Sequence, residues 1–296
     1  MDIVVCLKQV ADPGSVEIDP GTGRVEEKRS VYVTHPADLS ALEAALALKE
    51  QLGGRVSVLS LGPARTERSL REAWAMGADQ VLRIWEDDWE NVCAPHFVAF
   101  ALAYFIKKMP CDLVLCGDGG GNFHASEVPA WLAEYLHLPF ITGVVALHRE
   151  EKLQTMTVKR KLEKGKRQVL RCELPALLAL SESFSQPRRW AMPDLLAVMQ
   201  AEIPVAPLLL GTVARMIPPH VSRDMIYQVR PLRPPAQSID SPDCSLPGAE
   251  RINRVVSGGM SGKKSELVQG SPEQAARAMV AFLEAADLIT KRSQEN

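Results

Sequence analysis

The chain has 296 residues, 46% hydrophobic and 24% charged, with a net charge of -2. That is ordinary globular composition with ample material for a core, and the near-neutral balance excludes nucleic acid and anionic membrane as bulk partners. The six cysteines (Cys6, Cys93, Cys111, Cys116, Cys172, Cys244) include no Cys-x-x-Cys pair. Several sit in apolar runs, where a reduced thiol behaves as a small hydrophobe. No apolar run reaches membrane-spanning length and the chain opens directly into a strand-like run, so the expected location is cytoplasmic.

In chain order, Ile3 to Leu7 reads as a short buried strand that ends in the turn Asp12-Pro-Gly14. Ile18 and Val25 flank Asp19-Pro-Gly-Thr-Gly23, a hairpin signal. Residues 41–50 are rich in helix formers, with Asp38 or Ser40 able to cap them and Gly53-Gly54 to stop them. Val56 to Leu61 is a second buried strand ending at Gly62-Pro63. A helix from Thr66 to Met76, a strand from Val81 to Ile84 and a helix from Pro95 to Lys108 follow. The aromatic stripe of that last helix (Phe97, Phe100, Tyr104, Phe105) reads as core rather than as a cofactor box.

Leu113 to Cys116 is an uninterrupted apolar run, followed by Gly117, Gly119, Gly120 and Gly121. Ser126 and Glu127 then open a run with Val128, Leu132 and Leu136 at helical spacing. Strand, glycine-rich turn and helix aim backbone N–H groups and a positive helix end at an anion. The motif matches neither Gly-x-Gly-x-x-Gly nor a P-loop, so alone it competes with a plain turn. Its context strengthens it. Alternating strands and helices through Leu138 imply an α/β, doubly wound, mostly parallel sheet, whose ligands sit beyond the carboxyl ends of the strands where their order reverses. Three strand-end turns meet there, at residues 8–12, 61–63 and 116–127. Lys8 is placed to neutralise a phosphate, or simply to be solvated.

Residues 154–161 and 167–173 alternate around Lys164-Gly-Lys166 as an antiparallel hairpin. Its cations (Lys159, Arg160, Lys161, Lys164, Lys166, Arg167) read more readily as a solvated rim than as a docking patch. Leu174 to Leu180 is another buried strand. It leads to a loop at residues 185–194 whose Pro187, Trp190, Met192 and Pro193 read either as a preorganised partner anchor or as apolar groups tucked onto the sheet. Nine prolines between residues 202 and 262 rule out long helices there. The expected organisation is an α/β nucleotide-binding domain at 1–200, a Pro-rich arm at 201–262, and a C-terminal helix at 263–296 that docks on a partner or back on the domain. Ser271-Pro-Glu-Gln274 starts that helix.

No serine lies in Gly-x-Ser-x-Gly, and no histidines have metal-ligand spacing. His35 and His124 fall on the proposed ligand loops. The residues therefore argue for cofactor binding, with no catalytic side chain and no metal.

Several stretches have a familiar order and spacing: Val5-Cys-Leu-Lys-Gln-Val-Ala-Asp12, Ile18-Asp-Pro-Gly-Thr-Gly-Arg-Val25, His35-Pro-Ala-Asp-Leu-Ser40, Ser60-Leu-Gly-Pro63 and Asp112-Leu-Val-Leu-Cys-Gly117. Gln186-Pro-Arg188 and Met192-Pro193 continue the series, and Gly270-Ser-Pro-Glu-Gln-Ala275 ends it. The chain resembles the β subunit of electron transfer flavoproteins, including the branch associated with nitrogen fixation and flavin-based bifurcation. The resemblance runs to about residue 200 and resumes near 266.

It implies a heterodimer with an α subunit that shares FAD, and AMP or a second FAD in this subunit. Electrons would pass between a dehydrogenase or other redox enzyme and a further acceptor, with membrane contact only through an acceptor oxidoreductase. By position, the nucleotide contacts fall on Cys6, His35, Leu61, Gly62, Cys116, Gly117, Asp118, Gly119, Gly120, Gly121, Asn122, His124, Ala125, Ser126 and Glu127, with Lys8 and Asp38 beside them. The partner loop falls on Gln186, Pro187, Arg188, Met192 and Pro193, with Met192 as anchor. Three departures stand out: Asn122-Phe-His-Ala125 replaces the family's Asp-Gly-Asp-Thr, His35 replaces an asparagine, and Ala37 replaces an aromatic residue near the flavin. They keep open a second expectation, a nucleotide-binding regulatory or scaffold subunit on the same fold without electron transfer. An enzyme using ATP is a third, weakened by the missing phosphate-loop lysine.

Overall fold

The structure is a computed structural model that describes residues 1–19, 21–23, 25–26, 29–86, 94–119, 127–149, 154–207, 245–256 and 270–285. The chain divides into two units, Met1–Leu232 and Arg233–Asn296.

In β1 (Asp2–Leu7) side chains alternate between two buried faces. Ile3, Val5 and Leu7 enter one apolar cluster and Val4 and Cys6 the other, as expected for a strand covered by helices on both sides. After it come β2 (Gln9–Ala11), β3 (Tyr32–Thr34), α1 (Pro36–Leu52), β4 (Arg55–Leu61), α2 (Glu67–Met76), β5 (Gln80–Ile84) and α3 (Pro95–Ile106). Then follow β6 (Leu113–Gly117), α4 (Val128–Leu136), β7 (Phe140–Arg149), β8 (Thr155–Lys161), β9 (Arg167–Glu173), β10 (Ala176–Leu180), α5 (Met192–Met199) and β11 (Val205–Ala206). The main sheet has nine strands in the order β11-β5-β4-β1-β6-β10-β7-β8-β9. Pairing is parallel from β11 to β7 and antiparallel through β8 and β9.

α1 and α2 pack one face through Leu42, Leu46 and Leu70, and α3 and α4 the other through Phe97, Leu102 and Leu132. α1 buries Ala37, Ala41, Ala44 and Ala45, small side chains that let its backbone lie close to the strands. The strand order reverses between β1 and β6, so the crevice beyond their carboxyl ends is the natural ligand position.

Three local expectations need correcting. α1 starts at Pro36, before residue 41, and no side chain caps it. Asp38 and Ser40 instead bond away from the helix: Asp38 to strand-end amides, Ser40 to Ser185. Residues 140–149 form a strand that the sequence did not announce. β7 runs parallel to β10 at its start and antiparallel to β8 beyond a register shift, so its burial follows no single period. Finally, the expected loop at 185–194 turns into α5 at Met192, with Pro193 in the first turn, where its missing N–H costs nothing.

In the second unit, helices Gly248–Val256 and Pro272–Ala285 are described. The Ser271 and Gln274 side chains exchange bonds with each other's backbone N–H at the start of the latter, as its sequence predicts. No described helix is long and apolar enough to cross a membrane.

Candidate nucleotide site and partner-facing helix

β1 and β6 end side by side, with Cys6 and Cys116 next after the Val5–Leu115 pair. Beyond them Cys6, Lys8, Asp38, Leu61, Cys116 and Gly117 line one cavity of about 80 Å3, closed on the α3 and α4 side by Val98, Leu102 and Val128. The strand ends expected to converge therefore do so. A larger cavity of about 340 Å3 beside Trp74, Val81 and Pro204 lacks this convergence. Its one carboxylate, Asp79, is already engaged by Lys49 and the Val56 N–H.

The floor of the crevice is polar and tightly tied. The Lys8 N–H donates to Asp38 Oδ2 at 2.9 Å, and the Gly117 N–H donates to Asp38 Oδ1 at 2.8 Å. The His35 N–H donates to the Lys8 carbonyl at 3.0 Å. Burial pushes the Asp38 carboxyl up to about 6, against the Lys8 amide, the Lys8 charge and the Gly117 amide, all of which favour the ionised form. Burial, helped by the Lys8 cation, pushes His35 down to about 4. The 3.8 Å contact between His35 Nδ1 and Asp38 Oδ1 is thus a neutral ring beside a carboxylate at pH 7, not an ion pair. Lys8 is lowered by burial and partly restored by Asp38. Its Nζ and His35 Nδ1 are buried with no hydrogen-bond partner among the described residues. The Cys116 thiol is raised by its hydrogen bond with Cys6 and by burial, so it is a poor nucleophile.

The remaining site positions divide. The Gly62 N–H bonds the Ile84 carbonyl, and a Cβ there would lie 2.3 Å from the Thr66 methyl, so this glycine serves close packing of the turn. The Asp118 N–H bonds the Leu180 carbonyl, linking the end of β6 to β10. Gly119 has φ +85°, the left-handed region that favours glycine. Glu127 precedes α4 and is exposed. Gly120, Gly121, Asn122, His124, Ala125 and Ser126 lie outside the described residues.

The partner-loop residues are built differently. Arg188 is held by Glu43 through its Nε at 2.8 Å, its Nη2 at 2.9 Å and its backbone N–H at 3.0 Å, and it also reaches Glu50. Arg71 of α2 donates to the Val198 and Ala201 carbonyls at the far end of α5. Between these two clamps, Met192, Leu196 and Met199 are 64%, 62% and 56% exposed. Gln186 and Pro187 line an open groove with Pro36 and Leu39. The sequence reading singles out Met192 but not Leu196 and Met199, whose offsets of four and seven residues are the signal of one helix face. Nor does it single out Glu43 and Arg71, which no local pattern marks.

A family model described as electron transfer flavoprotein domain matches residues 22–208. The electron transfer flavoprotein subunit beta of Thermoanaerobacterium thermosaccharolyticum is 34% identical over 188 residues, 64% of this chain and 71% of the relative. Protein FixA of Azorhizobium caulinodans is 34% identical over 209 residues, 69% of this chain and 74% of the relative. The caffeyl-CoA reductase-Etf complex subunit CarD of Acetobacterium woodii is 35% identical over 196 residues, 64% of this chain and 71% of the relative. Fold and relatives agree: the chain belongs to the electron transfer flavoprotein family and is β-subunit-like.

Proposed function

We propose that the chain is the β subunit of a heterodimeric electron transfer flavoprotein, binding AMP or a second FAD beyond β1 and β6. It relays electrons between a dehydrogenase and another acceptor. The observation that carries the site is the buried Lys8 ammonium, which has no hydrogen-bond partner among the described residues, in a crevice where the strand order reverses. A buried cation without a partner is costly, and an anionic ligand removes that cost. Above that polar floor, Leu61, Val98 and Val128 give the cavity apolar walls.

Flavin, shared with an α subunit, supplies the electron-transfer chemistry when bound. This chain's residues bind and orient. Lys8 meets a phosphate, and α5 offers Met192 and its neighbours to a redox partner. The relatives' names, including a subunit of an Etf complex, support a multi-subunit assembly. A second FAD in place of AMP would suit bifurcation.

Coexpression with an α subunit tests the reading: a yellow heterodimer is expected, and a colourless chain that binds neither flavin nor partner contradicts it. The scaffold alternative has one observation in its favour. Ala37 is 1% exposed and presents no ring to a flavin. A heterodimer that forms without reducible flavin would select that alternative.

A further inference from the structure

Asp38 is expected to contact ligand, and each of its oxygens also accepts a strand-end amide. One accepts the Lys8 N–H at the end of β1 and the other the Gly117 N–H at the end of β6. These are the two strands between which the sheet order reverses. The carboxylate is 4% exposed and comes from the first turn of α1, so one side chain spans three elements. The packing around it leaves no slack. A Cβ at Gly117 would lie 2.4 Å from Asp38 Oδ1, 2.7 Å from the Asp38 nitrogen and 2.8 Å from the Ala37 carbonyl carbon.

We propose that Asp38 is a positioning residue: its carboxylate holds the ends of β1 and β6 at the spacing that grips nucleotide, and protonation loosens that grip. The proposal rests on the nucleotide reading above. Two backbone donors are best met by two strong acceptor oxygens, which the carboxylate form supplies. A protonated acid keeps one strong acceptor and one weaker hydroxyl acceptor, and an asparagine replaces that second acceptor with a donor, so one of the two bonds is weakened or lost. The groups facing Asp38 are Lys8 from just after β1, Cys116 from β6 and His35 from the turn before α1. The cavity residues of α3 and α4 (Val98, Leu102, Val128, Pro129) carry no charge. His35 titrates near 4 and the Cys116 thiol well above its ordinary range, which leaves Asp38, near 6, to titrate under mildly acidic conditions.

The test titrates AMP, and separately FAD, into the purified full-length chain from about pH 5 to about pH 8, alongside amide hydrogen exchange. The wild type should bind more weakly as pH falls through the Asp38 titration. Asp38→Asn should bind about tenfold more weakly at neutral pH and lose that slope, since it mimics the protonated acid at every pH. The phosphate of AMP, though not the diphosphate of FAD, also ionises near pH 6. If that were the cause, Asp38→Asn would keep the slope, and the proposal would fall.

Gly117→Ala breaks the same contact without changing charge. It should reproduce the affinity loss while still melting cooperatively; unchanged affinity in this variant would overturn the proposal. If neither AMP nor FAD binds the wild type, the nucleotide reading fails, and exchange of the Lys8 and Gly117 amides judges the clamp alone. Selective loss of their protection in Asp38→Asn supports the clamp, and unchanged protection refutes it.

Discussion

The floor of the crevice and the exposed face of α5 depart from ordinary folding economy in opposite directions. At the crevice, polar groups are buried without partners: Lys8 Nζ and His35 Nδ1 find no hydrogen bond among the described residues. On α5, apolar groups are exposed without cover: Met192, Leu196 and Met199 are each more than half exposed. Both regions are held rigidly by groups that do not themselves need a ligand, Asp38 in one case and Arg188 with Arg71 in the other. The contrast is instructive because each defect names its remedy. A buried cation short of a hydrogen bond calls for an anion, and a stiff apolar stripe calls for a protein surface.

The comparison breaks most visibly at Lys8. Lys8→Met should weaken AMP binding by about 10- to 100-fold, read by calorimetry, with redox-partner binding unaffected. Met192→Asp should do the converse, cutting affinity for the redox partner by about tenfold or more in surface plasmon resonance while AMP binding holds. If either variant disturbed both functions equally, the two regions would not be separate sites. Arg188→Ala sharpens the second half. It removes a contact network that is partly open to water, so fold stability should drop by only about 1 kcal/mol in a denaturant titration. Partner affinity should fall with it, because the loop loses its preorganisation.

The smallest effect is a cancellation. Asp38 has a folded pKa of about 6 against an ordinary 3.8, so the native state binds the extra proton and stability from this group falls as pH rises through that window. His35 has a folded pKa of about 4 against 6.5, so the unfolded state binds the extra proton and stability rises over nearly the same window. The two contributions have opposite sign over nearly the same window, so they offset one another in the wild type. Melting curves across mild acid should show a rising slope with pH in Asp38→Asn and a falling one in His35→Gln. Slopes of the same sign would show that the two groups do not oppose one another.

Much of the central fold was legible because fully buried strands write themselves as uninterrupted apolar runs, as in Ile3 to Leu7 and Leu113 to Cys116. The convergence of the strand ends followed from the alternation of strands and helices alone, and the structure gathers Cys6, Lys8, Leu61, Cys116 and Gly117 around one cavity. β7 was hidden because it changes neighbours midway, so Gly143, His148 and Arg149 interrupt any single period. α5 was hidden because Pro187 and Pro193 suggested a loop, although proline in a first turn is also a helix start. The role of Asp38 could not be read at all. An acid two residues after a proline looks like a helix-start residue, and only the joint position of β1, β6 and α1 shows that it faces the strand ends.

The central claim is that a nucleotide belongs in the crevice beyond β1 and β6. Denaturing the purified heterodimer and counting released FAD and AMP tests it most directly. The account predicts one FAD together with either one AMP or a second FAD per heterodimer. Release of a single FAD, with no AMP and no second flavin, would contradict it.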